Sequence, residues 1–400
     1  MLSSLFAGAV TKHLTLVETI TARSNQHEFQ GVQALRQMLG EEDRRGIPTR
    51  FIWLSDQEGA LSESGFLSWS NVRKGKPRAP EYHLYYSTNA VTEAMRAGDL
   101  LLIALHRDGT LLAVVARDET SQNQLLWLFG LEPPAGTGFA VRAIDESHDP
   151  ELGFAARYIL DELAIEPPEP EADRLDTLIE RFGLTFPPTR IFSELARSSI
   201  SGVSAIDDPD AALTAWMDQE EKLFRRLERR IVANRIGDGF VAGDQVDVDG
   251  FLSFSLSVQN RRKSRAGHAL ENHLEAVFSA QGLRYVRGAE TENRNKPDFL
   301  FPGQAEYRDP DFPREKLFML GSKSSLKDRW RQVLSEAERI ELKHLLTLEP
   351  GVSENQTAEM AAKSLQLVLP SSLHASYRPG QQAWLLSVAQ FLTAVKAKQA

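Results

Sequence analysis

Asn295-Lys296-Pro297-Asp298 runs directly into the apolar triplet Phe299-Leu300-Phe301. A polar turn that closes on an acid and opens a short apolar run places a carboxylate at the end of a strand. A second apolar run, Leu317-Phe318-Met319-Leu320, stops just short of Lys323. From Lys327 to Leu345 the spacing of Trp330, Val333, Leu334, Ala337 and Ile340 predicts one long helix, and this helix carries Glu336. Downstream the chain reads as a strand (Leu345–Leu348), a helix (Glu354–Lys363), a strand (Leu365–Leu369) closed by Pro370, and a last helix starting near Gln381. The order β-β-α-β-α-β-α predicts an α/β core, a mixed sheet flanked by helices.

Asp298, Lys323 and Glu336 form the chemistry-bearing set. Two carboxylates and a lysine converging at strand ends suit metal-assisted phosphodiester hydrolysis. Carboxylate oxygens hold a hard cation such as Mg²⁺, and the cation lowers the pKa of a bound water. The lysine would orient or deprotonate the attacking water, or stabilise charge on the phosphorane; spacing does not choose among these. Each residue also has an ordinary structural use, as a turn, a solvated strand end or a helix surface.

Working outward, Ala211–Ile236 and Ala266–Ala280 read as helices, and Arg261, Arg262, Lys263 and Arg265 form a basic cluster ahead of the second one. Asp161 to Asp173 holds six acidic residues and no basic one, with Pro167, Pro168 and Pro170 in it. Proline and like charge both disfavour compact structure there, so the expected organisation is a domain over 1–165, a linker over 166–180 and a second domain over 181–400. The first domain reads as mainly β: Arg50–Leu54, Tyr82–Tyr86, Leu100–Leu105, Leu111–Ala116 and Leu125–Phe129 are the expected strands, Val32–Leu39 a helix, and Asp108-Gly109 a hairpin turn.

Composition narrows the function classes. With no cysteine, thiolate catalysis and every cysteine-based metal site are excluded. A net charge of −9 argues against a protein that coats nucleic acid non-specifically, though not against a site-specific binder whose basic residues are local. No Gly-rich dinucleotide or Walker loop is present, and His344 and His374 have no partner at metal-ligand spacing, so zinc hydrolysis is not indicated. No apolar run is long enough for a membrane helix and no secretory leader is evident, so a cytoplasmic protein is expected.

Ser257–Ala266 (SVQNRRKSRA), Lys296–Pro302 (KPDFLFP), Lys327–Gln332 (KDRWRQ) and Leu369–His374 (LPSSLH) resemble, in order, segments of the EcoRII-type restriction endonucleases. The resemblance runs from about Asp207 to Tyr377. It implies a PD-(D/E)xK nuclease core in the C-terminal half and a Mg²⁺-dependent type II site-specific deoxyribonuclease. A plain core has an acid two places before the lysine, where this chain has Gly321; the EcoRII branch takes that acid from further on, at Glu336. By the same resemblance Asp298, Lys323 and Glu336 form the active site, with Asp298 and Glu336 on the metal and Glu271 as a further acid. Lys327, Asp328 and Arg329 would read paired C·G base pairs of a CC…GG site, and the basic cluster would contact phosphates. Relatives extrude the central base, and Trp216 is the expected wedge.

The family's N-terminal region is a B3-like DNA-binding pseudobarrel that takes a second copy of the site and restrains the nuclease. The expected effector loops carry Arg23, Asn25 and His27, and Arg73, Lys74, Lys76 and Arg78. Expected partners are double-stranded DNA with two or more sites and, because a palindrome implies two-fold symmetry, a second copy of the chain. Two other readings stand beside this one: a DNA-binding regulator with an inactive nuclease fold, and a repair or nicking nuclease on the same core, which would not need the Lys327–Arg329 triplet.

Overall fold

The computed structural model describes the chain except residues 1, 20–26, 31, 56–58, 135, 137, 145–152, 243–244 and 400; for 32, 33, 59, 242 and 328 it describes the backbone alone. The chain divides into two compact units, Met1–Pro168 with Pro350–Ser353, and Glu169–Glu349 with Glu354–Ala400.

The first unit is built on an eight-stranded sheet: β1 (Phe6–His13), β2 (Glu28–Phe29), β3 (Arg44–Ser55), β4 (Gly59–Asn71), β5 (Tyr82–Tyr86), β6 (Leu100–His106), β7 (Leu111–Ala116) and β8 (Ala140–Ala143). Its order is β2-β5-β4-β3-β7-β6-β1-β8. All pairs are antiparallel except β3 with β7. The β6–β7 hairpin turns at Asp108-Gly109, with Gly109 at φ +88°, a conformation glycine takes without strain.

Both faces of this sheet are buried. Leu100, Leu102 and Ala104 of β6 join Leu112 and Val114 in one cluster, whereas Leu101 and Ile103 join Leu111, Ala113 and Val115 in the other. Side chains alternate along a strand, so a continuous apolar run feeds two cores at once. Helix α1 (Glu119–Phe129) covers one face. The segment Leu125–Phe129, read above as a strand, is its C-terminal half. Asp118 caps α1 by accepting from the Ser121 N–H, and Gly130 ends it in the left-handed region. A five-residue apolar run fits a buried helix turn as well as a strand, and the cap decides between them.

Helix α2 (Phe154–Glu162) packs into the first unit's core. The expected linker 166–180 is not extended throughout: α3 (Ala172–Ile179) lies within it and buries Leu175 and Ile179 against the second unit's helices.

That second unit has α4 (Thr189–Ser198), α5 (Pro209–Gly237) and α6 (Val248–Ala280). A small hairpin, β9 (Val241–Ala242) with β10 (Gln245–Val246), lies between the last two. A five-stranded mixed sheet follows: β11 (Val286–Arg287), β12 (Phe299–Phe301), β13 (Phe318–Lys323), β14 (Lys343–Thr347) and β15 (Leu365–Val368), in sequence order. The first two pairings are antiparallel and the last two parallel. The Asp210 carboxylate of α5 accepts from the backbone N–H groups of Ser371, Val388 and Ala389, fixing the start of α5 to the last helix, α7 (Val388–Gln399).

Two expectations fail here. Helix α6 starts eighteen residues before Ala266, so the basic cluster lies inside it. The long helix over 327–345 is absent: Lys327–Arg329 form a 3-10 turn, Trp330–Val333 a single helical turn, and the chain then winds irregularly to β14. Trp330, Val333, Ala337 and Ile340 are all buried as their spacing demands, but Ala337 sits at φ +48°. Tertiary hydrogen bonds to the neighbouring loop outweigh local helix propensity here.

In the first unit, Lys12 of β1 is wholly buried and donates to Glu18 Oε1 at 2.6 Å and to the Gln30 carbonyl at 2.8 Å. Lys12→Ala strands the Glu18 carboxylate in the interior and should destabilise this unit by about 3–5 kcal/mol, measured by thermal unfolding.

Candidate active site

The antiparallel register of β12 on β13, Phe299 opposite Leu320, brings Asp298 to the end of β13. Lys323 Nζ lies 2.9 Å from Asp298 Oδ2, and the Ser322 N–H donates to the same oxygen at 2.6 Å. Both side chains of the ion pair are 18% exposed, sheltered but open to solvent from one side. Sheet pairing thus joins two residues 25 apart in sequence.

Glu336 completes the set from the irregular turn after Val333. Burial pushes its carboxyl up to about 7, and the Asp298 charge pushes the same way, with Lys323 and Lys343 opposing. Its Oε2 is buried and has no hydrogen-bond partner. A buried carboxylate oxygen without a donor, inside the field of a second carboxylate, is a costly arrangement that a cation would relieve. Among the described residues no third acid or histidine joins these two as a ready-made metal cluster.

The acid missing at position 321 has a steric cause. A Cβ on Gly321 would come within 3.0 Å and 3.3 Å of the two Val333 methyl carbons and 3.4 Å of Leu345 Cδ1. Val333 packs flat against the strand, so the position cannot take an acidic side chain without moving it.

Residues 224–392 match the family described as EcoRII C terminal. A stretch of 186 residues is 45% identical to the type II restriction enzyme EcoRII of Escherichia coli, covering 46% of this chain and 45% of that enzyme. The chain spans about half the length of the curated relative it matches. Solved structures with a likeness include metal-depleted Ecl18kI in complex with uncleaved, modified DNA, at TM-score 0.46 and 18% identity over 57% of this chain and 84% of that one. Another is a PspGI–substrate DNA complex, at TM-score 0.44 and 13% identity over 53% and 93%.

The other expected residues are placed as follows. Glu271 is ion-paired with Arg287, which also holds Glu275 at 2.6 Å and Asn272 at 2.9 Å. Arg287 lies on β11 opposite Phe299, next to Asp298, so Glu271 is near the site but already occupied. Lys327 is half-buried at φ +38°, and Arg329 turns back to the Ser325 carbonyl and hydroxyl, the latter at 2.7 Å. The Asp328 side chain lies outside those described.

The basic cluster divides. Arg265 is buried between Glu220, at 3.0 Å, and Glu221, and cannot contact phosphate without losing both. Arg262 pairs with Glu228 at 2.7 Å. Arg261 and Lys263 are exposed, and the Arg261 guanidinium lies 4.7 Å above the Phe186 ring. Trp216 is 8% exposed and packs beside His273, the burial of a core residue. In the first unit Arg23 and Asn25 lie outside the described residues. His27 packs edge-on to Tyr86 at 5.6 Å. Arg73 pairs with Glu81 and Lys74 with Asp43 at 3.1 Å, while Lys76 and Arg78 are exposed.

Sequence reasoning missed Ser322, Arg287 and Lys343, the last donating to the Ile340 carbonyl at 2.8 Å. Their roles depend on cross-strand and loop contacts that no local spacing records.

Two measurements check this site. The Glu336 carboxyl is raised from 4.5 to about 7 in the fold, so its ionisation costs nothing below about pH 4.5 and its full amount above about pH 7. In metal-free buffer at pH 8, Glu336→Gln should therefore raise stability by on the order of 1–3 kcal/mol, and the gain should vanish near pH 4. Separately, an acid restored at the plain position should not substitute: Gly321→Asp with Glu336→Ala should stay as inactive in DNA cleavage as Glu336→Ala alone.

Proposed function

We propose that the chain is a type II restriction endonuclease that hydrolyses double-stranded DNA at sites of the CC-(W or N)-GG type with Mg²⁺. The observation that carries this is the Asp298–Lys323 pair together with Glu336, one buried oxygen of which has no hydrogen-bond partner, within a stretch 45% identical to the type II restriction enzyme EcoRII. A regulator with an inactive nuclease fold has no use for that costly arrangement.

Asp298 and Glu336 would hold the cation. When bound, it supplies charge neutralisation on the phosphate and an acidified water. Lys323 uses one N–H on Asp298, and an ammonium has three donors. Two therefore remain for the attacking water or a phosphate oxygen, and the ion pair fixes their direction. The Ser322 N–H holds the shared Asp298 oxygen, leaving the other carboxylate oxygen for the metal. Lys327, Asp328 and Arg329 begin four residues after Lys323, so the proposed base-reading turn lies close in sequence to the proposed catalytic lysine.

A cavity of about 430 Å³ opens beside Phe186, Phe192 and Phe224, with Arg261 and Arg265 on the facing helix. Stacking rings and guanidinium planes suit an extruded central base, so the base is proposed to lodge there rather than against Trp216. In the first unit Lys76 and Arg78 are the proposed phosphate contacts for a second, effector copy of the site. Cutting both strands of a palindrome calls for a homodimer.

The test is to incubate the chain with phage DNA and Mg²⁺ and sequence the ends. Cleavage at one CC…GG sequence is expected, with Asp298→Ala and Lys323→Ala slower by at least about 10²–10³-fold. Scattered ends, or an active Asp298→Ala, would overturn the assignment.

A further inference from the structure

Glu336 is not carried by a regular element, yet the backbone on both sides of it is held by one loop. Asn295 Nδ2 donates to the Ser335 carbonyl at 2.7 Å. Thr291 Oγ1 accepts from the Ala337 N–H at 3.4 Å and donates to the Asn295 carbonyl at 3.2 Å. Glu292 Oε2 accepts from the Glu338 N–H at 3.2 Å. The residues flanking Glu336 are thus tied to 291–295, while the carboxylate between them has an oxygen with no donor at all.

The same loop ends three residues before Asp298, and its own closing bond runs from the Thr291 N–H to the Asn295 carbonyl at 2.8 Å. Ala337, Asn293 and Arg294 all have positive φ. Three non-glycine residues held in the left-handed region mark a local geometry that its surroundings enforce. The Glu336 N–H turns back to the Val333 carbonyl at 3.1 Å; a second loop holds the residues on either side of it, and that loop also leads into the first acid.

We propose that Asn295 and Thr291 are positioning residues that set the distance between the Glu336 and Asp298 carboxylates, so that the cation meets both at once. This rests on the nuclease reading above. Groups that orient metal ligands typically control metal affinity by about 10–100-fold. Neither residue touches the reacting atoms, so both act through Glu336.

The test uses the full chain with Asn295→Ala, Asn295→Asp, Thr291→Val and Thr291→Ser. Asn295→Ala, Asn295→Asp and Thr291→Val should raise the Mg²⁺ concentration for half-maximal cleavage by about tenfold or more, with DNA affinity in metal-free buffer and melting temperature unchanged. Thr291→Ser, which keeps the hydroxyl, should restore the wild-type Mg²⁺ dependence. A role confined to folding would instead lower the melting temperature and leave the Mg²⁺ midpoint alone, overturning the proposal. A second readout needs no activity: hydrogen exchange at the amides of 335–338 should speed up in Asn295→Ala and not elsewhere in the sheet. Unchanged exchange there sinks the bracing even if cleavage falls. Failure of the wild-type chain to cut any DNA would count against the nuclease reading, and the exchange result would still decide the bracing.

Discussion

The C-terminal unit depends on one strand pairing. Because β12 runs antiparallel to β13 with Phe299 opposite Leu320, the residue before β12 and the residues ending β13 meet at one edge of the sheet. Opposite charges arrive there by register alone, and Lys323 and Asp298 close to 2.9 Å. A slip of one residue would turn every side chain of β12 to the other face. The slip is opposed from within the core. Phe299, Leu300, Phe301, Met319 and Leu320 are all fully buried, and Phe278 of α6 meets Phe299 and Phe301 edge-on at 5.0 and 5.2 Å. The apolar packing that holds the register is therefore what holds this ion pair.

The packing also explains why the site is shaped as it is. Val333 lies so close to Gly321 that a Cβ there would need Val333 to give way by a few tenths of an ångström. The second carboxylate comes from outside the sheet, on a turn that places it in the field of Asp298 without a donor for Oε2. Such an arrangement is weaker than the alternatives open to the same backbone, and active sites are where natural proteins tolerate that loss. Elsewhere in the unit buried charges sit in ion pairs. His273 Nε2 lies 2.9 Å from Glu220 Oε2, and Arg265 reaches both Glu220 and Glu221. Glu228 also has a buried oxygen without a hydrogen-bond partner, Oε1, but Arg262 pairs with its Oε2 at 2.7 Å.

Much of this was legible in the sequence. The strands Tyr82–Tyr86, Leu111–Ala116 and Phe299–Phe301 are read to the residue, because a compact apolar run between turn residues has few other uses. Asp298, Lys323 and Glu336 were singled out as candidates from strand-end position and family likeness, and the structure brings Asp298 and Lys323 into contact. What failed did so for identifiable reasons. The spacing of Trp330, Val333, Ala337 and Ile340 correctly reports burial, but burial at helical spacing does not require a helix when an outside loop supplies the hydrogen bonds. The first half of α6 was missed because it has no buried face to give a period: Val248, Phe251, Leu252 and Leu256 are all exposed. Arg265 looked like part of a solvated basic run because its partners lie 44 and 45 residues away on α5.

The failed helix is the more instructive case, because its failure relocates control of the second acid. On a regular helix Glu336 would be fixed by bonds four residues away along its own segment, and its position would be indifferent to the sequence before Asp298. As built, Ser335, Ala337 and Glu338 take their hydrogen bonds from Asn295, Thr291 and Glu292. The polar residues that precede the Pro-Asp pair therefore serve two acids at once. They end the loop that opens β12, and they hold the turn on which the other carboxylate rides. That makes the stretch quoted at the start more than a strand signal, since a change at Asn295 would reach Glu336, 41 residues away, through a bond to the Ser335 carbonyl 40 residues distant.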